Sequence, residues 1–192
     1  MVTTHRAGTR HRRSGGFTLI ELMTTLTVAS IMTFVAVPSM QFVIESNRLT
    51  AATNDLIADI NVARTEAVKR NKGSTGLGQA VVCVSSDNAT CATSGSWQSG
   101  WIVFWDDDGD GVPGGAKDVM IKIHEALPSS LAVATTSPTG VIKLKYRTPG
   151  ALTTTIASVQ ITDAKLKSNK TNTVCLGGIG RPSLKQPNAT SC

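Results

Sequence analysis

One stretch of this chain limits its possible folds more than any other. Residues 17–44 read FTLIELMTTLTVASIMTFVAVPSMQFVI, and Glu21 is the only charge among them. Between Glu21 and Glu45 lie 23 uncharged residues. A helix of that length spans roughly 35 Å, enough to cross a hydrocarbon core. The residues in front of it, 1–16, carry Arg6, Arg10, Arg12 and Arg13, no acid, and end in Gly15-Gly16. A secretory signal has a shorter apolar core with small residues behind it. Here the small residues come first, so cleavage beside them leaves the apolar helix on the mature chain. The expected organisation is a basic leader on the cytoplasmic side, a single membrane-spanning helix, and a domain on the other side of the membrane.

Glu21 is out of place in such a run, because an unpaired carboxylate is costly in hydrocarbon. Snorkelling to the interface or protonation relieves that cost, and so does a partner charge from another subunit. The string Gly16-Phe17-Thr18-Leu19-Ile20-Glu21-Leu22 resembles the prepilin signature of type IV pilins and type II secretion pseudopilins. The resemblance implies cleavage by a prepilin peptidase between Gly16 and Phe17 and N-methylation of Phe17. It also implies that Glu21, at the fifth mature position, is the assembly carboxylate that meets the terminal amine of a neighbouring pilin. Pro38 lies inside the apolar run, where its missing N–H is expected to kink or locally open the helix.

Beyond the apolar run the pattern becomes amphipathic. Leu49, Ala52, Leu56, Ile60, Ala63 and Ala67 recur at steps of three and four, which predicts a helical stripe facing a core. Arg48, Asp55, Asp59, Glu66, Lys69 and Arg70 fall between them and are expected on the other faces, with Asn71-Lys72-Gly73 as the stop. One helix over 17–72 would be about 84 Å long if straight. The string Ala63-Arg64-Thr65-Glu66-Ala67-Val68-Lys69-Arg70-Asn71 is similar to a signature of the GspH/FimT branch of pilin-like proteins. So is Trp97-Gln98-Ser99-Gly100-Trp101-Ile102-Val103-Phe104-Trp105-Asp106.

After Gly73 short strand patterns alternate with Gly, Pro, Ser, Thr and Asn: 79–85, 100–105, 119–124, 141–147, 156–162 and 173–176. In 141–147, Val141, Lys143, Lys145 and Arg147 point one way, and Ile142, Leu144 and Tyr146 the other. These patterns predict an α+β fold, a long N-terminal helix packed on antiparallel sheet. The expected segments are a cleaved leader (1–16), a transmembrane and assembly helix (17–45), the amphipathic second half of that helix (46–72) and a β-rich globular domain (73–192). Cys83, Cys91, Cys175 and Cys192 are an even set in a domain expected outside the inner membrane, so disulfides are favoured. Three pairings are open, and Cys83 with Cys91 and Cys175 with Cys192 close the shortest loops. No CxxC or neighbouring His supports zinc.

Two further patterns bear on function. Asp106, Asp108, Asp110 and Gly111 match positions 1, 3, 5 and 6 of a calcium loop, but position 12 is Lys117 where a bidentate Glu is needed. A plain turn is therefore expected, with no metal and no cofactor. His5, His11 and His124 are the only histidines, and the chain has no nucleophile elbow or phosphate loop, so an enzyme is not expected.

Charge is unevenly spread. Residues 17–140 hold seven Lys/Arg against twelve Asp/Glu, whereas residues 141–192 hold eight against Asp163 alone. The eight are Lys143, Lys145, Arg147, Lys165, Lys167, Lys170, Arg181 and Lys185, a candidate surface for duplex DNA or for an acidic neighbouring subunit. The family resemblance implies the first for some members, which take up DNA in natural transformation through a Gly-Arg-x-Arg element. Gly180-Arg181-Pro182-Ser183 matches its Gly and first Arg and departs at the second, with Lys185 two residues further on. The resemblance as a whole implies a structural minor pilin or pseudopilin of the GspH/FimT family. Such a subunit is incorporated at or near the tip of a type IV pilus or secretion pseudopilus, with other pilins and the prepilin peptidase as partners.

Overall fold

The computed structural model describes residues 16–71, 76–136, 139–154, 158–166, 170–177, 179–185 and 192. The chain divides into two units between Gln41 and Phe42. Helix α1, Leu19–Arg70, begins in the first and ends in the second. Thr18 starts it: its Oγ1 accepts the Glu21 N–H at 3.2 Å and its carbonyl accepts the Leu22 N–H at 3.1 Å. Lys69 and Arg70 occupy the last turn, where cations suit the helix dipole. Asn71 then turns left-handed at φ 57°, a conformation its short side chain tolerates. The helix thus ends two residues before the expected limit, and Lys72 and Gly73 lie outside the described residues.

Inside the apolar run five hydroxyls are satisfied by the helix itself. Thr24, Thr25, Thr27, Ser30 and Thr33 each donate to a carbonyl three or four residues back, at 2.7 to 3.0 Å. They need no water for this, so the segment loses little by entering hydrocarbon. The helix continues through Pro38, which leaves the Phe34 carbonyl without its usual amide donor.

In the second unit the expected stripe is the buried face. Leu49, Ala52, Leu56, Ile60, Ala63 and Ala67 are buried against both sheets. Each large aliphatic among them contributes about 1.5–3 kcal/mol. Asp59, expected on a solvent face, is fully buried instead. It stands three residues from Leu56 and four from Ala63, which is the same helical face, and partners from the sheet make its burial tolerable.

The helix packs on two antiparallel sheets rather than one. The first has the order β3-β2-β1-β5-β6 and is built of β1 (Gln79–Val84), β2 (Trp101–Asp106), β3 (Val119–His124), β5 (Lys143–Arg147) and β6 (Ala151–Leu152). The second has the order β4-β7-β8-β9, with β4 (Leu131–Thr135), β7 (Ser158–Asp163), β8 (Thr171–Leu176) and β9 (Pro182–Leu184). Their inner faces, with Trp97, Trp101 and Trp105, close the main core over α1. Strands β1 and β2 are buried at every position because their outer face is covered as well. There Val81, Cys83, Ile102 and Phe104 form a second cluster, with Cys91 packed on it.

The cysteines pair as Cys83–Cys91 and Cys175–Cys192. The first bond ties the loop after β1 back onto that outer cluster. Asp87 shapes this loop. Its carboxylate accepts the Thr90 hydroxyl, the Thr90 and Ala89 amides and the Ser85 hydroxyl. Those bonds, the Thr90 hydroxyl foremost, hold its pKa far below the usual carboxylate range.

Candidate assembly segment and basic surface

Every residue from Gly16 to Ile44 is exposed. Phe17 is 80% exposed, and a Cβ added at Gly16 would meet nothing within 4 Å. Among the described residues, none imposes a glycine at position 16 or covers the Gly16–Phe17 bond. Glu21 sits in the first turn of α1, where a carboxylate suits the positive end of the helix dipole. The helix is long and apolar enough to cross a membrane. An apolar surface of this extent needs a cover other than water.

Further along α1, polar residues lock the helix to the first sheet. Trp101 Nε1–H donates to Asp59 Oδ2 at 2.8 Å, and Lys122 Nζ pairs with Asp59 Oδ1. His124 lies on β3, the edge strand, and its ring stacks on Trp101 with centroids 3.8 Å apart. Its Nε2 is 3.6 Å from Asp55 Oδ2. At the end of the helix, Arg70 Nε donates to Glu66 Oε2 one turn back at 2.7 Å, and the guanidinium lies 5.8 Å from the Trp105 ring centroid. The Arg70 hydrogen bond holds the Glu66 carboxyl below the usual range.

The acidic turn after β2 is organised by its own amides. Asp106 Oδ1 accepts the Gly109 N–H at 2.7 Å, and Oδ2 accepts the Gly111 N–H at 2.7 Å and the Gln79 amide at 2.7 Å. Asp108 and Asp110 accept the amides two residues on. Asp118, next to Lys117, accepts the Asp107 and Gly115 amides, and its carboxylate lies within 4.8 Å of those of Asp106 and Asp108. Gly109 has φ 84°, and a Cβ there would come within 2.7 Å of the Leu77 carbonyl, so only glycine fits.

The eight basic residues of the C-terminal quarter fall into separate places. Lys143 Nζ donates to the Gly111 carbonyl at 3.1 Å, and the end of Lys145 lies against Gly111, so this pair faces the acidic turn. Lys165 and Lys170 lie beside Glu45 and Ser46 of α1. Lys167 lies outside the described residues. Arg147, Arg181 and Lys185 are exposed.

Arg147 and Arg181 follow residues that touch each other. Tyr146 Oη, one residue before Arg147, donates to the carbonyl of Gly180, one residue before Arg181, at 3.2 Å. Gly180 has φ 75°, and a Cβ there would approach Tyr146 Cε1 to 2.7 Å and the Leu152 nitrogen to 2.9 Å. Glycine is thus required for the loop to reach the β5–β6 hairpin. Arg64 of α1 joins the group by donating from Nε to the Gly150 carbonyl at 3.1 Å. Sequence reasoning passed over Arg64 because it lies 86 residues from Gly150. Its place within the helical signature was the available signal. Burial pushes the Tyr146 hydroxyl well above the usual tyrosine range, so it remains a neutral donor.

An N-terminal helix led by a prepilin-type junction and packed on antiparallel sheets is the architecture of a pilin-like subunit. Residues 52–180 match the family described as type II transport protein GspH, and residues 11–37 match the prokaryotic N-terminal methylation motif. The chain belongs to the GspH family, whose members are structural pilin-like subunits. No curated protein and no solved structure matches it significantly.

Proposed function

We propose that this minor pilin or pseudopilin is cut between Gly16 and Phe17, methylated at Phe17 and held in the inner membrane by residues 17–45. The domain formed by 73–192 then stands on the periplasmic side. Removed from the membrane, the subunit joins other pilins at or near the tip of a type IV pilus or secretion pseudopilus. The observation that carries this reading is the uncovered helix face from Phe17 to Ile44 with a carboxylate at Glu21. Lipid covers such a face before assembly, and neighbouring helices cover it afterwards. In hydrocarbon the carboxylate needs a cation, and the terminal amine created at Phe17 is one. Glu21→Ala removes the charge without shortening the anchor. Membrane retention is expected to persist, while co-purification with partner pilins falls at least about tenfold, equivalent to about 1.4 kcal/mol. Unchanged co-purification would leave Glu21 with no part in assembly.

A second reading, a subunit that binds duplex DNA during uptake, is motivated by the exposed Arg147 and Arg181 on neighbouring segments, with Arg64 held on the Gly150 carbonyl of the same hairpin. These cations would meet phosphates without reading sequence. With about three contacts engaged, log affinity should fall against log salt with a slope of about −2.7. Replacing Arg147 and Arg181 together by Ala should flatten that slope by about two contacts. Equal slopes in a salt titration of the chain in neutral detergent would remove this region from any DNA site.

A further inference from the structure

The globular domain meets α1 just past the apolar run, at Glu45, Ser46 and Arg48, through a cluster of cations. Glu45 Oε1 lies 3.2 Å from Arg48 Nη1 and 3.8 Å from Lys165 Nζ, and Oε2 accepts from Ser130 Oγ at 3.4 Å. Lys170 Nζ donates to Ser46 Oγ at 3.1 Å. Two backbone bonds hold the loops there: Ala164 N–H to the Ser130 carbonyl, and Asp163 N–H to the Lys170 carbonyl. The acids at this end are Glu45, whose side chain is 15% exposed, and Asp163, which is fully buried. The cations reach solvent, with the side chains of Lys165 63% and Arg48 49% exposed.

The depth of this cluster follows from the anchor, so the inference rests on the membrane-spanning reading. The 23 uncharged residues between Glu21 and Glu45 cover roughly 35 Å, against a hydrocarbon core of about 30 Å. Glu45 therefore falls in the headgroup layer on the far side. Lysine and arginine within a turn of that level reach lipid phosphates with their long stems. The exposed pair of Glu45 with Lys165 holds weakly. If Lys165 turns to a phosphate, Glu45 keeps Arg48 and Ser130.

We propose that Arg48, Lys165 and Lys170 form a headgroup-binding surface for anionic phospholipid. It brings Lys165 and Lys170 to the headgroups of the bilayer that the anchor crosses. Lys165 and Lys170 are then occupied by lipid while the subunit waits in the membrane, and Arg147 and Arg181 are left for other partners.

The test uses the full chain in vesicles of phosphatidylcholine, with or without about 30% phosphatidylglycerol. A membrane-impermeant acetylating reagent reads the lysines by mass spectrometry. Lys69 is the internal control: its side chain is 71% exposed, its pair with Glu66 is similarly loose at 3.5 Å, and it lies 24 residues further along α1. Phosphatidylglycerol should slow labelling of Lys165 and Lys170 at least about threefold relative to Lys69, and high salt should abolish the difference. Equal labelling in the two vesicles, with the chain retained through an alkaline wash, overturns the proposal and leaves the anchor standing. Loss of the chain in that wash overturns both. Protection by added duplex DNA, without any from phosphatidylglycerol, also overturns it and assigns the lysines to nucleic acid.

Discussion

At Asp59 the chain places a carboxylate in the seam between helix and sheet, and two strands supply what that carboxylate needs. Trp101 gives it an N–H and Lys122 a charge. Removing the acid strands the buried indole donor and separates Lys122, itself 43% exposed, from its partner. Asp59→Ala is expected to lower stability by about 3 kcal/mol in urea unfolding followed by tryptophan fluorescence. Asp55→Ala is the control, because Asp55 is 54% exposed and only 3.6 Å from His124. It should change stability by less than about 0.5 kcal/mol. Equal effects of the two would mean that the seam contributes nothing special. The apolar stripe from Leu49 to Ala67 was legible in the sequence because each of its residues is apolar and the spacing alone reports the face. The place of Asp59 was not, since its partners come from strands 42 and 63 residues away.

Among the elements, β1, β2, β3, β5, β7 and β8 were readable as apolar or alternating runs between turn residues. Strand β4 was missed because its outward positions are Ala132 and Ala134, which give no polar contrast to Leu131 and Val133. Strands β6 and β9 are two and three residues long, too short to show a period. The division into two sheets depends on pairings between distant strands, which local pattern cannot report. The loop after β1 shows how a short covalent link helps a strand pair that is covered on both faces. Cys83–Cys91 closes a separation of 8 residues over Val81, Ile102 and Phe104. By loop-closure entropy this bond is expected to contribute about 2.5 kcal/mol, and Cys175–Cys192, with its longer separation, about 3 kcal/mol. Replacing each pair by Ser should lower the melting temperature in calorimetry, with the larger fall for Cys175 and Cys192. No change in either variant would contradict a stapling role.

On the scale of the whole molecule, the matched segments, 11–37 and 52–180, separate an N-terminal methylation motif from the GspH-matching segment. The motif around Gly16 and Glu21 was legible because its residues are contiguous. The basic surface was legible only as composition: the eight charges were countable, but their separation among the acidic turn, the start of the domain helix and the β5–β6 hairpin is a property of the fold. Gly16 connects the two halves of the account. Among the described residues no neighbouring atom requires a glycine there, so a requirement for it would come from the peptidase that must approach the backbone. The most direct measurement is the intact mass of the chain purified from membranes that contain the prepilin peptidase. The account predicts a species that lacks residues 1–16 and carries one added methyl group on Phe17. A membrane-bound species that still retains Arg6 to Arg13 would contradict it.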